Sequence, residues 1–151
     1  MEQYRELTVP ERTLRVAIGY LGLQEFVGGR HNEIIVDMFK QIGHSWVKDD
    51  ETAWCSCFVN FVALLLGLTR SGKLDARSWL NVGTEIEHPL HGDIVVVSRP
   101  GAAWMGHVGV FCGYSSNGNI MILGGNQANE VNITAYKKDR LLGFRRLSKI
   151  Q

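Results

Sequence analysis

Gly106-His107-Val108-Gly109-Val110 reads as an apolar, glycine-spaced strand with a histidine at its start. Period-2 alternation puts His107, Gly109 and Phe111 on one face. Val108, Val110, Cys112 and Tyr114 fall on the other. From Gly92 onward the whole chain carries strand signals. Residues 94–97 form a short apolar run, 108–114 a second and 120–123 a third, with 131–135 and 143–147 as two more candidates. Ser115-Ser116-Asn117-Gly118-Asn119 contains an Asn-Gly turn, which predicts a hairpin between the second and third runs.

Upstream of Gly92 the period changes to that of helices. Thr8-Val9-Pro10-Glu11 is a capping box with proline in the first turn, and it predicts a helix over 9–21. A second helix is predicted over 32–42, closed by Gly43. A third is predicted over 53–66, preceded by Asp49-Asp50-Glu51-Thr52, with Thr52 as its cap. That third segment is apolar nearly all round, as a buried central helix is. Residues 75–80 suggest a short fourth. Helices first and a mostly antiparallel sheet afterwards define an α+β fold. Residues 1–151 show no repeat or linker and read as one domain.

Composition narrows the function. Apolar content of 45%, charged content of 21% and a net charge of +1 are those of an ordinary globular protein. Aromatic residues are not interleaved with basic clusters, so nucleic acid is not an expected partner. Residues 1–15 lack the apolar stretch of a signal peptide, and the run 61–66 is too short to span a bilayer. Synthesis in the cytoplasm is therefore expected, with action elsewhere requiring release or delivery by another route.

The three cysteines are Cys55, Cys57 and Cys112, an odd number that argues against a disulfide framework. Cys55 opens the buried helix, where the positive end of the helix dipole favours a thiolate. Cys57 is its rival, roughly 200° further around the helix. Cys112 faces away from His107 and reads as core. A cysteine at a helix start, followed by a histidine at a strand start, is an order suited to thiol-dependent hydrolysis. Gly106 and Gly109 are read as leaving room for the imidazole to reach the sulfur. His31, His44, His88 and His91 lack a comparable setting, and no metal or other cofactor is expected.

Gly124-Gly125-Asn126-Gln127 supplies an amide that can hold the imidazole in one tautomer. Alternation from Ile120 groups Ile122, Gly124 and Asn126 on one face, so Asn126 is the expected partner of His107.

These stretches resemble one family. Glu51-Thr52-Ala53-Trp54-Cys55-Ser56-Cys57-Phe58-Val59-Asn60, Ala76-Arg77-Ser78-Trp79-Leu80, Gly92-Asp93-Ile94-Val95-Val96, Gly106 to Val110 and Gly124 to Gln127 are similar to the NlpC/P60 and CHAP-related cysteine peptidases and amidases. The likeness runs over residues 15–147. It implies a papain-like fold and cleavage of amide bonds in peptidoglycan stem peptides or at the glycan–peptide link. By position it puts the nucleophile on Cys55, the base on His107 and the polar third residue near Asn126. The chain departs from the common Asp-Cys-Ser-Gly pattern, with Trp54 before the cysteine and Cys57 where glycine is frequent. Trp54, Trp104, Glu51 and Gln127 are the expected substrate-binding residues. Two other settings fit the same features. One is an interbacterial toxin acting on peptidoglycan, which would have an immunity partner. The other is a phage structural or binding module that keeps the fold without turnover.

Overall fold

The computed structural model describes residues 4–26, 31–48, 53–101 and 103–151. Three helices precede a sheet. Helix α1 spans Val9–Ile18, α2 spans Glu33–Gln41 and α3 spans Cys55–Leu65. A 3₁₀ helix, Ala76–Asn81, occupies the place of the expected fourth. Strands β1 (Thr84–Ile86), β2 (Ile94–Ser98), β3 (Gly106–Tyr114), β4 (Ile120–Gln127), β5 (Glu130–Tyr136) and β6 (Leu141–Arg146) form one sheet in the order β1-β6-β2-β3-β4-β5. Every pairing is antiparallel. The architecture is the α+β arrangement expected from the sequence.

The caps explain the first two helices. Thr8 Oγ1 accepts from the Glu11 N–H, and Asn32 Oδ1 accepts from the Ile34 N–H. Helix α1 ends three residues earlier than its pattern suggested, because the chain after Ile18 turns to pair with the sheet. Gly22 N–H donates to Val131 O and Val131 N–H to Leu23 O, and these bonds cover the outer edge of β5. Helix α3 starts at Cys55 rather than at residue 53, and Trp54 is its N-cap, with no side-chain hydrogen bond capping the helix. Thr52, the expected cap, lies outside the described residues together with Asp49, Asp50 and Glu51.

Helix α3 is the centre of the main core, buried throughout Cys55 to Ala63. Ile94, Val96, Val108, Val110 and Leu123 meet it from the sheet. Val95, Val97, Phe111, Ile120, Ile122 and Phe144 form a second, smaller cluster. The alternation read from β3 holds as far as Cys112 and then breaks. Gly113 has φ +93°, and the β3–β4 register shifts between Phe111 and Tyr114. The glycine bulge returns Tyr114 to the Phe111 side, where the rings meet edge to face at 5.2 Å. Asp93 ties the end of the sheet together. Its buried carboxylate accepts from Arg146 Nε and Nη2 at 2.9 and 2.7 Å and from the Leu90 N–H.

Candidate active site

Cys55 occupies the first position of α3, at the foot of β3. The backbone N–H groups of Val108, Ser56 and Cys55 itself lie where they favour its thiolate. Because the N-cap contributes no side chain, the first-turn N–H groups stay available to the thiol and to whatever lies beside it. Burial nevertheless raises the thiol pKa. The N–H of Val108, the N–H of Ser56 and the charge of Arg99 only oppose that rise. Burial thus works against the thiolate that the helix dipole favours.

His107 is buried and follows Gly106 at the start of β3. Its Nε2 lies 2.8 Å from Gln127 Oε1. The amide is itself fixed: Gln127 Nε2 donates to Asn132 O, Asn132 Oδ1 and Ile122 O at 2.7, 2.8 and 3.2 Å. Tyr136 donates its hydroxyl to the same Gln127 Oε1 at 3.1 Å. An amide oxygen can only accept, so the imidazole must donate from Nε2. Nδ1 is left as the basic nitrogen. Tyr136 also stacks on the imidazole, with centroids 5.2 Å apart and an interplanar angle of 18°. Arg140 lies 5.0 Å over the tyrosine ring. Burial lowers the His107 pKa to about 4. The Gln127 bond opposes the shift, and the charges of Arg99 and Arg140 add to it. Burial thus disfavours the charged form of both the thiol and the imidazole.

The partner of His107 is thus Gln127, where the sequence pointed to Asn126. The reason is local. Asn126 has φ +59°, and the β4–β5 register shifts between Gly124 and Gln127. That irregularity passes the face that simple alternation assigns to Asn126 on to Gln127. Asn126 lines the same cavity as His107 without bonding the ring. Gln127, expected to touch substrate, is buried and committed to His107 and Asn132. The paired glycines also find their reason. A Cβ on Gly124 would come within 2.9 Å of Gln127 Oε1 and 3.1 Å of His107 Nε2. One on Gly125 would meet the Trp54 ring at 2.6 Å.

Trp54 is fully buried, and its indole N–H donates to Glu25 Oε1 at 2.6 Å. It is a core residue beneath β4 and not a wall of the cleft. Trp104 is 72% exposed and lines a cavity of about 100 Å³ with Cys55, Arg99 and Met105. A second cavity of about 210 Å³ holds His107, and Arg99 borders both. Glu51 lies outside the described residues. Cys57 is fully buried in the core, where burial pushes its thiol well up. Gly109 makes room for β4, not for the sulfur: a Cβ there would meet Ile122 Cγ2 at 2.3 Å. Sequence reading missed Arg99, Asn132, Tyr136 and Arg140. Only the alternating polar residues of 132–136 hinted at a working face.

The CHAP domain family model matches residues 47–126, more than half of the chain. This chain belongs to the CHAP domain family. CHAP domains are papain-like and are typically hydrolases of peptidoglycan. No curated protein sequence matches the chain. The matched stretch of the CHAP domain contains Cys55 and His107 and stops one residue before Gln127. Among the described residues, no helix is long and apolar enough to cross a membrane.

Proposed function

We propose that this CHAP domain is a cysteine hydrolase that cleaves an amide bond of peptidoglycan, in the stem peptide or at the glycan–peptide link. The supporting observation is the fixed imidazole. Gln127 accepts a hydrogen bond from the Nε2–H, which leaves Nδ1 as the base on a strand whose next residue, Val108, sets its backbone N–H where it favours the Cys55 thiolate.

Burial favours the neutral forms of both groups, and the reaction starts from them. Substrate brings its carbonyl carbon to Cys55, and His107 Nδ1 takes the thiol proton as the sulfur attacks. The first-turn N–H groups of α3, that of Cys55 among them, receive the oxyanion. The imidazolium then gives its proton to the departing amine, leaving a thioester. Water enters, loses a proton to Nδ1 and releases the acid, which restores the thiol. Gln127 acts as a positioning residue throughout, and Trp104 flanks the entry to Cys55. The enzyme acts on the wall after release or delivery.

Mass spectrometry of purified muropeptides incubated with the protein tests this reading. The expected outcome is paired fragments bearing one new amine and one new carboxyl group. Absence of cleavage, or cleavage that persists in Cys55→Ala, overturns it.

A further inference from the structure

The cavity beside His107 has a charge that the reaction itself does not require. Arg99, Arg140, Asn126, Thr134 and Tyr136 line it around the histidine, and no carboxylate is among its lining residues. The whole chain carries a net charge of only +1, so this is a local concentration of positive charge. Arg99 is exposed and makes no hydrogen bond or ion pair among the described residues. Arg140 is held in place. Its Nε and Nη2 both donate to Ser98 O, at 2.9 and 2.7 Å, and its guanidinium plane lies over Tyr136. Nη1 has no partner within the described residues. Ser98 immediately precedes Arg99, so one arginine braces the backbone that presents the other.

Two guanidinium groups beside a buried neutral histidine carry a cost, since each disfavours the imidazolium that catalysis must form. An anion seated between them removes that cost while it is bound. We infer that Arg99 and Arg140 form a subsite for a peptide carboxylate, so that the substrate is an acidic peptide with a free carboxylate close to the amine it releases. The inference rests on the hydrolase reading for its placement: His107 delivers the proton to the leaving amine, so a cavity next to His107 receives the amine side. Planar guanidinium forks match carboxylate geometry, which an ammonium does not.

Native muropeptides and the same muropeptides with their carboxylates converted to carboxamides separate this idea from catalysis. Titration calorimetry of the full chain carrying Cys55→Ala reads binding without turnover. The native form is expected to bind about 10-fold or more tighter than the amidated form, the usual worth of charge-assisted hydrogen bonds. Adding Arg99→Gln is expected to shrink that ratio to about 3-fold or less, with Arg99→Lys intermediate because it keeps charge without the fork. Arg99 is exposed and unbonded, so circular dichroism should report an unchanged fold. Equal binding of the two forms overturns the subsite, as does a ratio that Arg99→Gln leaves intact. A preserved binding ratio with no cleavage by the unsubstituted protein supports the subsite and overturns the hydrolase reading alone.

Discussion

Cys55 and His107 reach the candidate site by different routes. The thiol is supplied by local structure: one helix start, an uncapped first turn and an apolar surround. The imidazole is supplied by distant structure. Its orientation depends on Gln127, which depends on Asn132, which is anchored in turn by Glu130 Oε1 and Thr134 Oγ1. Helix geometry can position a nucleophile with few side-chain partners. A neutral base with one defined tautomer needs a chain of donors and acceptors, because any break lets the ring turn or exchange its proton site.

The largest effect tests the local half. Cys55→Ala should abolish muropeptide cleavage in an endpoint assay with circular dichroism unchanged, whereas Cys57→Ala should keep most of the activity. The reverse result would move the nucleophile two residues along the helix. His107→Ala should lower kcat by about 10²-fold or more, the usual worth of a positioned acid–base group. The distant half should respond in graded fashion. Gln127→Ala should cost about 10-fold in kcat with little change in KM, since it frees the ring without removing it. Asn126→Ala should cost less. If Asn126→Ala is the slower enzyme, the amide partner argued for His107 is wrong.

The pH dependence follows from the same contrast. His107 acts as a base only when neutral, and its pKa is lowered to about 4. The acid limb of kcat/KM should therefore fall near pH 4, not near the ordinary imidazole value of about 6.5. Stability carries the same sign. The unfolded chain binds a proton at this residue between about pH 6.5 and 4, where the folded protein does not, so stability should decline as pH falls through that window. His107→Gln should flatten that part of a urea-denaturation series. The smallest effect belongs to Tyr136→Phe, which removes one hydrogen bond to Gln127 Oε1 and keeps the stacked ring. A loss of about 3-fold or less is expected, in line with one neutral hydrogen bond.

Much of the fold was legible because its signals are short-range. Thr8 and Asn32 cap helices as their residue types imply, and Asn117-Gly118 turns the β3–β4 hairpin, with Gly118 at φ +85°. Strand β1 was not legible, because three residues of partly exposed chain carry no period and owe their form to pairing with β6. Cys55 and His107 stood out because each opens a regular element. Gln127 was misjudged because counting by twos fails across an irregular strand. Trp54 was misjudged because an aromatic ring beside a cysteine looks the same in sequence whether it faces solvent or packs on Gly125. Arg99, Tyr136 and Arg140 come from the ends of separate elements, and only the sheet order brings them to one cavity.

Burial of Cys55 also bears on the durability of the protein. Oxidants and alkylating reagents attack thiolate, and they need access to it. A buried sulfur whose surroundings favour the thiol is expected to form sulfenic acid slowly in aerated medium and to react slowly with iodoacetamide at neutral pH. An ion-paired thiolate would meet each encounter with peroxide as a chance of inactivation. Burial shifts this sulfur toward the less vulnerable form. For a protein proposed to work on the outer wall, beyond the reducing interior of the cell, that is a chemical form of shelf life.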